Sequence, residues 1–138
     1  MARRLVAVLC TDVALMASTL AAADEEAAAR PAEPSLIKRC GWFDNPSPGN
    51  ATLTDSDGEW TIGLQGGHQA RGTWPRFKAD HWVRTGTGSA GYGCTCLKVK
   101  AQADSQEVTQ IVSSRALPLS TCRHAPALKG KEPENPLK

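Results

Sequence analysis

Apolar and polar residues alternate along several short stretches of the chain, which is the pattern of half-buried β-strands. The alternation is most regular in residues 92–100. Clusters of glycine, aspartate and serine separate the stretches and predict turns between them. Three further stretches show the pattern less fully, namely residues 60–64, 81–84 and 107–116. In the most regular stretch, one face carries Thr95, Leu97 and Val99, and the other carries Cys94, Cys96, Lys98 and Lys100.

Helical periodicity is absent from the sequence outside an apolar run at the N-terminus. Residues 40–54 contain Pro46, Pro48 and Gly49, so we expect this segment to form mostly turns and loops. The pattern of strands and turns predicts an all-β fold. We expect either a small disulfide-stabilised antiparallel sheet or a barrel-like domain.

The first residues have the features of a secretory signal peptide. Arg3 and Arg4 precede an apolar run from residue 5 to 23, and the acidic residues 24–26 follow it. Small residues at the end of the run predict cleavage after Ala23, which assigns residues 1–23 to the signal peptide. The run is short and rich in alanine, whereas a membrane span needs about 20 strongly apolar residues. We therefore expect a periplasmic or secreted protein with no stable membrane span after signal cleavage.

The rest of the chain changes composition twice. Residues 24–38 are rich in Ala, Glu and Pro and predict a disordered linker, because so few apolar side chains cannot offset the entropy of ordering. Residues 125–138 combine three prolines with lysine and glutamate and predict a disordered tail. The sequence therefore predicts one disulfide-stabilised β domain, residues 39–124.

The chain has five cysteines, and Cys10 lies in the predicted signal peptide. The remaining four are an even number in an oxidising compartment, which is typical of a disulfide framework. Cys94 and Cys96 project from the same face of a predicted strand, so a bond between them would be strained. Two pairings remain open: Cys40 with Cys94 and Cys96 with Cys122, or Cys40 with Cys96 and Cys94 with Cys122.

These bonds are expected to provide a large part of the stability. The loop-entropy model attributes about 4 kcal/mol to closing the longer loop and about 3.5 kcal/mol to the shorter one. A whole domain has a net stability of about 5–15 kcal/mol. We therefore expect replacement of Cys94 or Cys96 by serine to destabilise the domain severely. A metal site that combines the Cys-x-Cys motif with a histidine, or a redox-active cysteine pair, is the alternative interpretation of the same residues.

Charge and motifs exclude several functions. A formal net charge of +2 gives no electrostatic reason to expect a nucleic-acid partner. The nucleophile, zinc-protease and phosphate-loop motifs are absent, so the sequence predicts no catalytic residue, no metal site and no cofactor. The alternative function is an envelope hydrolase or a hydrolase inhibitor. Its site would lie around Asp57, Glu59, His68 and His81, because carboxylates and imidazoles can act as general acids and bases.

Four tryptophans provide the best indication of binding. Trp60 lies on the apolar face of its strand and is expected in the core, while Trp42 lies near Cys40 and is expected to cover a disulfide. Trp74 and Trp82 are the more open candidates for a stacking surface. The predicted binding surface comprises Trp74, Trp82, Tyr92, Arg76 and Arg84, and its arginines would suit an acidic partner.

Four unusual motifs are spread over the predicted domain: RCGWFDNPSPGN (39–50), DGEWTIG (57–63), GYGCTCL (91–97) and LPLSTCR (117–123). Together they resemble a family of small exported bacterial proteins that is catalogued as a domain of unknown function. The resemblance implies a bacterial origin and an envelope location, and it assigns no catalytic residue. The sequence therefore predicts a non-enzymatic periplasmic module with a binding or structural role. Its expected partner is an envelope protein or a glycan, and its oligomeric state is not predicted.

Overall fold

The computed structural model describes residues 33–138, so the predicted signal peptide and most of the predicted linker lie outside the described residues. The expected all-β, barrel-like fold is confirmed. Within residues 33–138, one short helix and two 3₁₀ turns accompany the strands. The elements are β1 (Ser35–Ser47), β2 (Asn50–Asp55), β3 (Gly58–Gly63), β4 (Trp82–Arg84), β5 (Gly91–Gln102), β6 (Glu107–Leu117), α1 (Leu119–His124) and the 3₁₀ turns Ala79–His81 and Pro126–Leu128.

Five of the strands close into a ring, in the order β1-β2-β3-β6-β5. The ring closes because β5 pairs with β1 through eleven residue pairs, from Ser35 opposite Ala101 to Asn45 opposite Gly91. The sheet is mixed rather than purely antiparallel, since β3 and β6 run parallel where they meet. The short strand β4 pairs with the start of β5, beyond the end of β6.

The expectation of turns and loops in residues 40–54 is wrong. Strands β1 and β2 occupy nearly all of this segment, and a two-residue turn of Pro48 and Gly49 joins them. Gly49 has a φ of 80°, which suits the position after proline in a tight turn. Alternation is missing because residues 41–43 are buried in succession. Strand β1 is covered on both faces, so a period of two does not mark it.

The inner side chains of the ring form the main core. They belong to all five strands of the ring and include Phe43, Leu53, Ile62 and Val99. Trp60 is 2% exposed in this core, which confirms the expectation for this tryptophan. The predicted core face is therefore confirmed for Trp60, Leu97 and Val99, whereas Leu64, which was expected on the same face as Trp60, is 50% exposed beyond the end of β3.

A second apolar cluster lies on the opposite face of β1 and β5, outside the ring. We call it the outer-face cluster. A C-terminal segment, residues 118–138, packs over it through α1 and the 3₁₀ turn that follows. This 3₁₀ turn lies within the predicted disordered tail, and β1 begins within the predicted linker. The cluster consists of Trp42, Tyr92, Cys94, Cys122 and Leu128.

The described part of the chain contains two disulfides, Cys40–Cys96 and Cys94–Cys122. This is the second of the two pairings that spacing left open. Cys40 and Cys96 face each other across β1 and β5, whereas Cys94–Cys122 joins β5 to α1. Within residues 33–138, no helix is both long and apolar enough to cross a membrane.

Candidate functional site

An open groove of about 710 Å³ lies at the end of the ring where β4 joins β5. We call it the aromatic groove. Its aromatic side chains come from β1, from β4 and from the long connection between β3 and β4. The predicted surface residues Trp74, Trp82 and Arg84 all line it. Its aromatic and charged lining residues are Phe43, Trp74, Phe77, Lys78, Trp82 and Arg84.

Phe43 anchors the aromatic side chains of the groove. It is 3% exposed, and its ring centroid lies 6.0 Å from that of Trp74, with the two planes at 74°. Phe77 and Trp82 lie 5.8 and 6.3 Å from the Phe43 centroid and 4.8 Å from each other. Trp74, Phe77 and Trp82 are only partly buried. The groove therefore presents partly open aromatic rings that are fixed from below by packing.

Two glycines of β5 make room for these rings. A Cβ atom at Gly93 would lie 2.6 Å from the ring of Phe77, and one at Gly91 would lie 2.4 Å from Nε1 of Trp82. Both positions face the inside of the ring, where larger side chains would fill the groove. Sequence reasoning missed Phe77. The signal that could have found it is the pair of glycines two residues apart in a strand, which marks a close approach.

Lys78 and Arg84 give the groove a positive rim. In residues 33–138 neither side chain takes part in an ion pair, since the pairs formed there involve other residues. Arg76 of the predicted surface is exposed beside the groove without lining it. The floor contributes Asn45, whose Nδ2 donates to the Ser89 carbonyl at 3.2 Å. The arrangement combines an apolar floor with unpaired positive charge.

Tyr92, which was predicted to lie on the binding surface, is placed elsewhere. It is 2% exposed, belongs to the outer-face cluster and does not line the groove. Its position explains the difference, because Tyr92 points outward between the inward-facing Gly91 and Gly93. The Tyr92 hydroxyl donates to Glu132 Oε1 at 2.8 Å. Burial, reinforced by the Glu132 carboxylate, raises the pKa of Tyr92 to about 12.

A family model described as a protein of unknown function, DUF4087, matches residues 35–129. The chain belongs to this family. The match begins at the first residue of β1 and ends just after the second 3₁₀ turn, so the DUF4087 region includes both disulfides, the groove and the outer-face cluster. Comparison with curated proteins found no match, and comparison with solved structures found none either.

The DUF4087 domain does not bring the four candidate residues of an enzymatic site together. His68 Nε2 lies 2.7 Å from the carbonyl oxygen of Val108, while His81 Nε2 lies 4.0 Å from Asp80 in a different part of the chain. Glu59 is exposed. None of the four residues Asp57, Glu59, His68 and His81 lines the groove.

Asp57 takes part in a structural ion pair rather than in a reactive site. Its carboxylate bonds to the Arg39 guanidinium, which lowers the pKa of Asp57. Arg39 also lies 4.0 Å from the Trp60 ring centroid and 3.1 Å from the buried Asp55 carboxylate. Asp55 in turn accepts from Trp60 Nε1 at 3.2 Å. The network holds β1, β2 and β3 together.

The cysteines and histidines that the sequence offers as metal ligands lie apart or are already bonded. Among residues 33–138, no three His, Cys, Asp or Glu side chains are grouped so that they could hold a metal ion. Cys40, Cys94, Cys96 and Cys122 are all bonded in disulfides. The aromatic groove is therefore the candidate site of the DUF4087 domain.

Proposed function

We propose that this DUF4087 protein is a non-enzymatic binding module of the periplasm or of the secreted fraction, and that its aromatic groove holds a segment of an envelope protein. The observation that carries the proposal is that Trp74, Phe77 and Trp82 remain partly open although the core of the ring is filled by other side chains. Clustered aromatic residues of this kind are typical of binding surfaces, where a few anchors supply most of the affinity.

The rim charges favour an acidic partner segment. Lys78 and Arg84 line the groove without an ion pair in the described chain. A carboxylate that approaches two unpaired cations gains attraction without displacing an existing pair. Complementary charge of this kind accelerates association and selects between partners. The ligand is therefore a segment with an apolar anchor side chain flanked by Asp or Glu.

The lining supports a protein segment in preference to a glycan. A sugar ring stacks on aromatic faces, and its hydroxyls also need several hydrogen-bonding side chains. The groove lining has just two uncharged polar side chains, Asn45 and Ser89, while Pro48, Pro75 and Ala79 extend its apolar part. Apolar side chains of a peptide fit such a surface better than a set of hydroxyls does.

Export is supported by two features of the chain. The first 23 residues have the pattern of a cleaved signal peptide. The folded domain contains two disulfides, and such bonds persist in oxidising compartments such as the periplasm.

Binding of defined peptides tests the proposal. Short peptides with a leucine anchor and flanking Asp and Glu would be titrated against the domain while its tryptophan fluorescence is recorded. Matched peptides would carry Asn and Gln instead, or lysines. We expect saturable binding of the acidic peptide and at least about tenfold weaker binding of the amide peptide, which corresponds to about 1.4 kcal/mol.

Variants locate the binding surface. Trp74→Ala and Arg84→Gln should each weaken binding, and Lys98→Gln should not, because Lys98 is an exposed cation on the outer face of β5. Equal affinity in all three variants would place the site outside the groove. Saturable binding of neutral envelope oligosaccharides with no binding of the acidic peptide would show that the ligand is a glycan.

A further inference from the structure

The two disulfides of this domain share one cavity and differ sharply in burial. A second cavity of about 530 Å³ lies on the outer face of the ring, and all four cysteines line it. Cys94 is 0% exposed and Cys122 is 2% exposed. Cys40 is exposed, and Cys96 is partly buried. A dissolved thiolate can therefore reach Cys40–Cys96, whereas Cys94–Cys122 is covered by the C-terminal segment.

The backbone around the exposed bond would hold its position without the bond. Cys40 and Cys96 are one of the eleven residue pairs that join β1 to β5. Opening the bond leaves the pairs on either side of it in place. By contrast, Cys94–Cys122 is the covalent connection between β5 and α1, a helix of six residues.

A cation lies beside the exposed bond. Arg115 of β6 is the register partner of Cys96, on the side of β5 opposite to Cys40. It is exposed, lines the same cavity and makes no ion pair within residues 33–138. A neighbouring positive charge stabilises a thiolate and makes it a better leaving group.

We propose that Cys40–Cys96 is a reversible thiol-exchange site, independent of the aromatic groove, and that Cys94–Cys122 keeps α1 bonded to β5 during the exchange. An incoming thiolate attacks Sγ of Cys40 and forms a mixed disulfide with it. The Cys40–Cys96 bond breaks, and its electron pair goes to Sγ of Cys96 beside Arg115. A second thiol of the same dithiol partner then attacks the mixed disulfide, which frees Cys40 and leaves the partner oxidised to its disulfide.

Graded reduction of the native protein tests the site. The domain would be incubated in glutathione buffers of decreasing potential, or with increasing dithiothreitol, and then alkylated and mapped by mass spectrometry. We expect Cys40 and Cys96 to be alkylated together while Cys94–Cys122 stays intact and the circular dichroism spectrum stays unchanged. In glutathione buffers we also expect glutathione bound to Cys40.

Three outcomes would overturn the proposal. One is reduction of both disulfides at the same potential, and another is earlier reduction of Cys94–Cys122. The third is the appearance of a Cys96–Cys122 bond, which would show that the second disulfide takes part in the exchange.

The role of Arg115 is tested by rate. Arg115→Gln should slow the exchange with reduced glutathione about three- to tenfold, as expected when a leaving thiolate loses a neighbouring cation. Lys100→Gln removes the same charge from an exposed position farther along the outer face of β5 and serves as the matched control. If the two variants exchange at equal rates, the positioning role of Arg115 is wrong, while the alkylation order still decides which disulfide exchanges.

Discussion

Two aromatic clusters of this domain differ in what covers them. In the outer-face cluster, Trp42 is 0% exposed and its ring lies 5.6 Å from that of Tyr92 in an edge-to-face arrangement. The C-terminal segment packs over both rings. In the aromatic groove, Trp74 and Trp82 make similar ring contacts with Phe43, and both remain partly open. The ring contacts within the two clusters are therefore similar, and the clusters differ in how much of their aromatic surface is exposed.

The difference lies in how a covering segment is attached. Over the outer-face cluster, Cys94–Cys122 ties the C-terminal segment to β5. Glu132 adds a second connection, because it accepts a hydrogen bond from the Tyr92 hydroxyl. It also accepts one from the Arg123 guanidinium at 2.7 Å. The covered cluster therefore acts in stability, and the uncovered one is free to act in binding.

The sharpest test of this comparison is the removal of one tryptophan from each cluster. Trp42→Ala should lower the free energy of unfolding by about 3–5 kcal/mol, because it empties a fully buried site. Trp74→Ala should lower it by about 1 kcal/mol, since only part of the ring is buried. Urea unfolding of the two variants measures both values. Equal losses would show that both clusters are structural.

Trp42→Phe serves as the control for the buried position. It keeps an aromatic ring against Tyr92 and removes the indole N–H, which has no hydrogen-bond partner within residues 33–138. A buried donor without a partner costs about 1–3 kcal/mol, so its removal offsets part of the lost packing. The loss should therefore be clearly smaller than that of Trp42→Ala.

The next test compares Cys94–Cys122, which attaches the C-terminal segment to β5, with Cys40–Cys96, which does not contact that segment covalently. Loop entropy predicts a loss of about 3.5 kcal/mol for Cys94→Ala/Cys122→Ala and about 4 kcal/mol for Cys40→Ala/Cys96→Ala. The stability losses are therefore similar. Only the first variant should expose the outer-face cluster, which quenching of tryptophan fluorescence by acrylamide and binding of a hydrophobic dye would detect. Equal quenching in both variants would contradict the assigned role of Cys94–Cys122.

The same contrast explains what could be predicted from the sequence. The second half of β5 alternates in the expected way, because Leu97 and Val99 face the core while Lys98 and Lys100 face solvent. A strand with one buried face and one solvent-exposed face alternates apolar and polar residues with a period of two. For the same reason the core position of Trp60 was predictable from its strand alone.

The parts that escaped prediction depend on contacts between distant segments. The alternation of β1 disappears because Trp42 is buried outside the ring and Phe43 inside it. The C-terminal segment is poor in apolar residues, and it contacts β5 through the buried Leu128 side chain, the Cys94–Cys122 disulfide and Glu132. The groove depends on Phe77 packing against Gly93, a contact between two segments that a linear pattern does not reveal.

A smaller effect is expected from a substitution at Gly93, which lies against the Phe77 ring of the groove and leaves the rim residues Lys78 and Arg84 unchanged. Gly93→Ala places a Cβ atom 2.6 Å from the Phe77 ring and 2.8 Å from the His81 carbonyl. Phe77 must then move, which should cost about 1–3 kcal/mol of stability and abolish the binding of the acidic peptide.

Gly67→Ala is the matched control for this substitution. Its Cβ atom would make only ordinary contacts of 3.7 Å with Leu64. Stability should therefore change little, and peptide binding should be retained. Melting curves and peptide titrations on both variants check the prediction, and a wild-type titration curve for Gly93→Ala would show that Phe77 is not part of the binding surface.

The smallest predicted effect concerns the stability that the C-terminal segment contributes and how it depends on pH. The hydrogen bond from Arg123 is the largest influence on the pKa of Glu132. Together with the hydrogen bond from Tyr92, it lowers this pKa. The unfolded chain then binds the proton more readily than the folded one. The resulting stability is complete above the unfolded glutamate pKa of about 4.3 and is lost as the pH falls through the lower folded pKa.

Glu132→Gln should therefore be less stable than the wild type at pH 6 by up to about 1 kcal/mol, a small value because the ion pair is partly exposed. The difference should be smaller at pH 3 than at pH 6, because the folded-state carboxylate takes up its proton as the pH falls through its lowered pKa. Urea unfolding at both pH values measures it, and hydrogen exchange of the Leu128 amide, which bonds to the Ala125 carbonyl at 3.0 Å, reports on the cover directly. Glu134→Gln, an exposed position in the same segment, should show neither effect. The opposite result is a stability difference between Glu132→Gln and the wild type that is the same at both pH values. That result would show that Glu132 acts through packing, and that Cys94–Cys122 and Leu128 hold the C-terminal segment without a contribution from charge.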